Sequence, residues 1–407
     1  MRKKIFVRAP CLSQSGYGEQ SRFALRALRS REDLFEIYIQ PIPWGQTGWV
    51  WEDNEFRQWM DSRITQTQVL LQQQALHPDM SLQITIPNEF QKLAPVNIGY
   101  TAGIETSKVA PQWLQKGNEE VDKILVVSNH AKTTYEGTTA WATNRQTGDK
   151  VEYKLETPVE VVWECTPRAE AEPIEGFELS NDFNFLMCSQ ISPRKNFENA
   201  IRWWVEEFID QEVGLILKTN VKGNSRMDLE ATEAALKRIL APYAERKCKV
   251  SLLHGDLSAG QMTTLYTHPK IKALVNIAHG EGFGLPMFEA AREGLPVVTI
   301  GWSGQVDFLH HDGEDYYQEV ECSLQPVQSE AVWQGVIEPD SMWAFADQGS
   351  YKMTLRKTHK KWETAKETAT QLQQIIEDKF NEEKLFAGFC DAILNQTSEE
   401  SEDEIIL

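Results

Sequence analysis

A chain of 407 residues exceeds the size at which a single hydrophobic core keeps growing, so two domains are the default expectation. Hydrophobic residues at 41% and charged residues at 25% exclude a disordered chain and a fibrous repeat. The formal net charge of −19 opposes nonspecific attraction to nucleic acid or to an anionic membrane.

Cys11, Cys165, Cys188, Cys248, Cys322 and Cys390 are scattered, with no CxxC pair and no Cys/His cluster at zinc spacing. Single cysteines spread along so long a chain point to a reducing compartment. The basic start, Met1 to Lys4, leads into an apolar run that Arg8 ends at once. That is too short for a signal peptide, and no later apolar stretch is long enough to cross a bilayer. A cytoplasmic location is expected.

Short apolar runs alternate with amphipathic stretches, the pattern of βα units around parallel sheets in an α/β fold. Ile5-Phe6-Val7 reads as the first strand. The loop Ser15-Gly16-Tyr17-Gly18 follows, then a helix with Phe23, Ala24, Ala27 and Leu28 on one face. Trp44, Trp49, Trp51 and Trp59 crowd the next segment. Packing a long loop is the commoner reason for such a cluster, and stacking on sugars or bases is the other. Residues 66–74 are Gln-rich, but Val69-Leu70-Leu71 marks them as helix. Residues 96–100 and 123–128 read as further strands, the first followed by Thr101 and Glu105, the second running into Ser128 and His130.

Residues 167–182 hold two prolines and several acids without a period, which marks a linker. A second βα series has strands at 183–188, 214–218, 249–253, 273–277 and 296–300, and a helical stretch at 351–394 closes the chain. Acids crowd Ser398 to Glu404, so 396–407 reads as a solvated, disordered tail. The basic run Arg356 to Lys361 reads as a solvated helix face.

The most informative stretch runs from His279 to Val298. An apolar strand enters a glycine loop, Gly280-Glu281-Gly282-Phe283-Gly284, and then a helix that Gly294 stops. Pro286 suits the first helical turn, where its missing N–H costs nothing. Gly282 and Gly284 let backbone amides approach a ligand, and a helix N-terminus favours oxyanions. Glu281 and Glu289 bracket the loop. Carboxylates there accept hydrogen bonds from the vicinal hydroxyls of a sugar, at the sheet edge where open α/β folds bind ligands.

With seven residues between Glu281 and Glu289, and Gly-Phe-Gly-Leu-Pro among them, the stretch resembles the signature of the GT-B glycosyltransferases of family GT4. The resemblance is strong over about 183–310 and thin before that. It implies two Rossmann-like domains with parallel sheets facing across a cleft: an acceptor-side domain at 1–170 and a donor domain at 171–375. A final helix at 376–395 would return to the first domain. It further implies that Glu289 binds the donor ribose, while Glu281 and the amides of Phe283, Gly284 and Leu285 hold the sugar and its phosphate. Lys195 matches the lysine that, with an arginine, neutralises the donor diphosphate in the family. Gln190 stands where the family has that arginine, and Arg194 is expected to substitute for it. Asn196 is expected to cap the helix that follows.

Lys218 ends a strand toward the same cleft. Gly16 and Gly18 resemble the family's glycine loop beside the donor phosphates, and Glu105 and Thr101 fall on the acceptor side. Ser303-Gly304 resembles a further donor-side turn. Asp312-Gly313-Glu314-Asp315 reads as a surface turn, so no metal site and no cofactor beyond the nucleotide-sugar co-substrate is expected. The resemblance implies retaining, metal-independent transfer of a hexose or pentose to a hydroxyl of an unidentified glycan, small molecule or DNA base. Alternatives are a DNA-modifying enzyme acting on a hydroxymethylated pyrimidine, a nucleotide-sugar epimerase and a non-catalytic binding protein.

Overall fold

The computed structural model describes residues 2–143 and 148–395, so the tail at 396–407 lies outside the described residues. The first half runs β1 (Lys3–Ala9), α1 (Gly16–Ser30), β2 (Phe35–Pro41), α2 (Glu55–Gln72), β3 (Met80–Ile84), β4 (Val96–Thr101), α3 (Pro111–Glu120), β5 (Lys123–Val126) and α4 (Asn129–Gly137). A hairpin, β6 (Thr139–Thr143) and β7 (Lys150–Lys154), precedes β8 (Val159–Val161). Six parallel strands form one sheet in the order β2-β1-β3-β4-β5-β8.

The second half runs β9 (Asn184–Cys188), α5 (Phe197–Phe208), β10 (Gly214–Lys218), α6 (Arg226–Leu240), β11 (Lys249–Leu253), α7 (Ala259–Thr267), β12 (Ile271–Asn276), α8 (Leu285–Arg292), β13 (Val297–Ile300) and α9 (Val306–Leu309). A short hairpin, β14 (His310–His311) and β15 (Glu314–Asp315), turns at Asp312 and Gly313, both with positive φ. After β16 (Gln318–Val320), an antiparallel pair, β17 (Cys322–Pro326) and β18 (Met342–Ala346), precedes α10 (Gln348–Lys360), α11 (Trp362–Lys379) and α12 (Glu382–Leu394). The second sheet is also six parallel strands, ordered β11-β10-β9-β12-β13-β16. The fold is α/β with two doubly wound sheets.

Helices on both faces explain why the strands read as unbroken apolar runs: Leu215, Ile216 and Leu217 of β10 are all buried. β3 lacks such a run because Ser81 and Gln83 are buried polar residues. Ser81 donates to Asn97 Oδ1 (2.8 Å) and Gln83 donates to the Gln91 carbonyl (2.7 Å), which satisfies both in the core. The helical stretch at 351–394 proves to be three helices. Asn381 ends the continuity by capping α12, its side chain accepting from Lys384 N. The chain then crosses to the first half. Phe386 and Phe389 of α12 pack on Phe23 of α1, each at 5.7 Å between ring centroids. Arg356 and His359 are not merely solvated: Arg356 forms a two-pronged ion pair with buried Glu207, and His359 lies edge-on to Phe183 and Phe208.

Each sheet reverses its winding direction once, between β1 and β3 in the first half and between β9 and β12 in the second. Crevices open at the C-terminal ends of strands at such switch points. The loops after β1, β9 and β12 therefore converge on one cleft between the halves.

Candidate active site

The cleft has a volume of about 870 Å³ and is walled by both halves. That is ample for a nucleotide-sized ligand. From the second half come the loop after β9, with Arg194 and Lys195, and the loop after β12, with Glu281. From the first come the loop after β1, with Gly16 and Tyr17, and the loop after β4, with Glu105.

Glu281 is buried and takes four hydrogen bonds on its carboxylate. Lys195 Nζ lies 2.5 and 2.7 Å from its two oxygens, Arg194 Nη1 at 3.0 Å and Asn276 Nδ2 at 3.0 Å. Burial works to raise this carboxyl, but the charges of Lys195 and Arg194 outweigh it and hold the group down at about 2. Arg194 also donates to the Gly280 carbonyl at 2.7 Å and reaches Glu105 at 2.9 Å. Burial pushes Glu105 up, opposed by Arg194. Lys195 is depressed, first by burial and then by the neighbouring guanidinium. One guanidinium thus ties the loop after β12 to the loop after β4, and two cations balance two carboxylates.

Glu289 lies on α8, farther along the same wall, and accepts a hydrogen bond from the Tyr266 hydroxyl at 2.8 Å. Burial raises its carboxyl, with the hydrogen bonds from Tyr266 and Thr166 pulling the other way. Leu285 opens α8, and Gly284 precedes it with φ of +95°, a left-handed conformation that excludes a side chain at little strain. Phe283, Gly284 and Leu285, whose amides precede the first intrahelical hydrogen bonds from Met287 and Phe288 to the Gly284 carbonyl, all line the cleft. The Phe283 side chain turns away and packs between Phe288 and Phe308. Lys218 also lines the cleft, its ammonium donating to the Gly255 carbonyl at 2.7 Å.

Several expected site residues serve the framework instead. A Cβ on Gly282, which also lines the cleft, would lie 1.9 Å from the carbonyl oxygen of Ala102, so this glycine allows close approach of the two halves. Gly18 is similar, since a Cβ there would lie 1.9 Å from the Ser13 carbonyl, and its amide is already taken by Ser15 Oγ. Gly16 has open space around it and does line the cleft. Thr101 is fully buried behind the wall, its hydroxyl 2.7 Å from Tyr17 Oη. Asn196 makes no cap. It is left-handed, with φ of +50°, and its side chain donates to the Ile277 carbonyl, stitching the β9 and β12 loops together. Ser303 likewise accepts from the Glu281 amide at 2.9 Å and braces that loop. Gln190 donates to the Val221 carbonyl at 2.9 Å. His130 lies in the first turn of α4, edge-on to Trp302, and is pushed down to about 4 by burial.

The tryptophan cluster departs from simple loop packing. Trp49 and Trp51 are each 64% exposed, and Trp44 and Trp51 line the cleft. Tyr17, within the glycine loop after β1, Tyr266 and Glu164 are further lining residues, and no sequence motif marks Glu164. Glu164 is buried with one oxygen lacking a hydrogen-bond partner, and burial raises its carboxyl to about 8. Among the described residues, no three His, Cys, Asp or Glu side chains are grouped so as to hold a metal ion. No helix of the described residues is long and apolar enough to cross a membrane.

No family model matches the chain, and no curated protein matches its sequence. Solved structures do. Sucrose-phosphate synthase from Thermosynechococcus elongatus aligns with a TM-score of 0.60 at 11% identity, over 96% of this chain and 98% of that one. The fold is GT-B. A glycosyltransferase from Rickettsia africae gives 0.58 at 11% identity, over 97% and 99% of the two chains. HepE from Anabaena, solved with UDP and glucose, gives 0.56 at 12% identity, over 96% and 99%. At such identities the likeness is one of fold.

Proposed function

We propose that the chain is a GT4-like, retaining glycosyltransferase that moves a hexose or pentose from a nucleotide sugar to a hydroxyl acceptor without a metal. The observation that carries the reading is the cluster of Arg194, Lys195 and Glu281 at the mouth of the β9/β12 switch point, with Glu289 about one turn into α8 on the same wall. GT-B folds at this degree of likeness include HepE, which was solved with UDP-glucose, and that supports a nucleotide sugar as donor.

In this proposal the donor occupies the half at 171–375 and the acceptor enters from 1–170. Glu289 and Tyr266 take the ribose hydroxyls. Lys195, Arg194 and the amides of Phe283, Gly284 and Leu285 face the diphosphate, and Glu281 orients both cations while accepting from a sugar hydroxyl. The acceptor oxygen attacks the anomeric carbon on the face from which the diphosphate leaves. The bond from that carbon to the phosphate oxygen breaks, and the acceptor proton passes to the departing phosphate. Charge growing on the diphosphate is met by Lys195 and Arg194, so preorganised electrostatics is the main catalytic term. Six cysteines without a disulfide support a cytoplasmic location.

A panel of UDP-, GDP- and ADP-sugars tests the reading by thermal stabilisation, with and without magnesium. A bound ligand raises the melting temperature by mass action. One nucleotide should shift it selectively, equally in EDTA. A shift that needs magnesium overturns the metal-free mechanism, and no shift from any nucleotide sugar overturns the donor assignment.

A further inference from the structure

The segment between β2 and α2 carries Trp44 and Trp51 along the wall of the cleft opposite the donor loops. It is held in place at several points. Gln14 N donates to the Gly48 carbonyl and Val50 N to the Leu12 carbonyl, each at 2.9 Å. Ser13 Oγ lies 2.7 Å from Thr47 Oγ1, and Arg57 Nη1 donates to the Val50 carbonyl at 2.6 Å.

The Trp44 ring rests on Tyr17, with centroids 4.3 Å apart and planes 36° apart. Tyr17 is itself fixed, its hydroxyl held by Thr101 and by the amides of Ala102 and Gly103, on the loop that carries Glu105. Trp51 is 64% exposed beside it. Indole surface left in water on a braced wall invites a flat, apolar face.

The charges on this side decide what kind of face. Its arginines are already engaged. Arg22 donates to the carbonyls of Cys11 and Ser13 and pairs with Glu19. Arg26 donates to the Cys165 carbonyl and lies 3.7 Å from Glu382, and Arg57 pairs with Asp61. Acidic side chains line the same wall at Glu19, Glu52, Glu105 and Glu164; Glu19 pairs with Arg22, Glu105 pairs with Arg194, and burial keeps Glu164 protonated up to about pH 8. A phosphate or carboxylate brought there meets acidic groups and no uncommitted arginine. A pyranose suits the site, since its C–H face packs on indole and its equatorial hydroxyls reach carboxylates.

We propose that the Trp44–Trp51 shelf is the acceptor subsite and that the acceptor is an uncharged glycoside or oligosaccharide. This deepens the glycosyltransferase reading and rests on it for the word acceptor, although the sugar site itself stands on its own geometry.

Tryptophan fluorescence of the full chain, titrated with methyl glycosides and neutral disaccharides, tests it. The comparison ligands are glucuronic acid, glucose 6-phosphate and a DNA duplex. At least one neutral sugar should give a saturable change in the wild type and in Trp49→Ala, whose ring is exposed but does not line the cleft. The dissociation constant should rise tenfold or more in Trp51→Ala. Unchanged affinity in Trp51→Ala, a preference for the anionic ligands, or no saturable signal from any neutral sugar overturns the proposal. The thermal shift given by nucleotide sugars is read on the same proteins. Its absence from the wild type would remove the donor assignment while a Trp51-dependent sugar signal left the subsite standing.

Discussion

Glu281 neutralises Lys195 and Arg194 inside a buried cluster, and this sets what each substitution should do. On the proposed reading Lys195→Ala removes a cation facing the donor diphosphate, and loss of such a charge costs on the order of 10²–10³ in turnover. The variant should fold, because Arg194 and Asn276 still satisfy Glu281. Glu281→Gln leaves Lys195 uncompensated and Arg194 with Glu105 alone, and breaking a buried pair costs about 3–5 kcal/mol. Denaturant unfolding should report a fall of that order, together with loss of transfer.

The pH dependence separates two carboxyls. Glu281 sits at about 2 against an ordinary 4.5, so the stability it contributes is complete above 4.5 and fades as the pH falls toward 2. Glu164 runs the other way. With its carboxyl raised from 4.5 to about 8, the folded state keeps a proton that the unfolded chain releases, so stability declines as the pH rises from 4.5 to 8. Glu164→Gln should remove roughly 2–4 kcal/mol of that decline. Melting curves at pH 5 and pH 8 check this, and an unchanged difference between them would contradict the burial argument.

At the scale of elements, what the sequence made legible was periodic and local. β10 falls at 214–218 as its apolar run requires, and the strand–glycine loop–helix of β12 and α8 is visible in the residues from 271 to 292. β3 was hidden because Ser81 and Gln83 are polar and find their partners only in the fold. The glycines show the same divide. That Gly284 must be left-handed is a local fact, whereas the need for Gly282 comes from a carbonyl on the other half of the molecule. Gly282→Ala and Gly18→Ala should each cost about 1–3 kcal/mol, because a backbone oxygen occupies the Cβ position. Gly16→Ala, with open space around it, should stay within about 0.5 kcal/mol. Thermal melts of the three variants rank them.

Across the whole molecule, two halves meet where Arg194 bridges Glu281 and Glu105 and where Gly280 and Gly282 abut carbonyls of the loop after β4. No sequence pattern announced this contact, since it joins segments distant along the chain. The motif residues Glu281, Lys195 and Glu289 were legible; Tyr17, Trp44 and Trp51 became site residues only when the halves closed on one cleft. The overall charge of −19 opposes a polyanion, and Arg194 and Lys195 are balanced by Glu105 and Glu281, so duplex DNA should show no salt-sensitive binding.

The most direct measurement is release of nucleoside diphosphate from the stabilising nucleotide sugar in EDTA, comparing wild type with Lys195→Ala. The expected result is metal-free release with the neutral sugar acceptor present, reduced at least a hundredfold in the folded variant. Equal release by both proteins, or none from the wild type until a metal is added, would contradict a cleft in which Lys195 and Arg194 supply the charge.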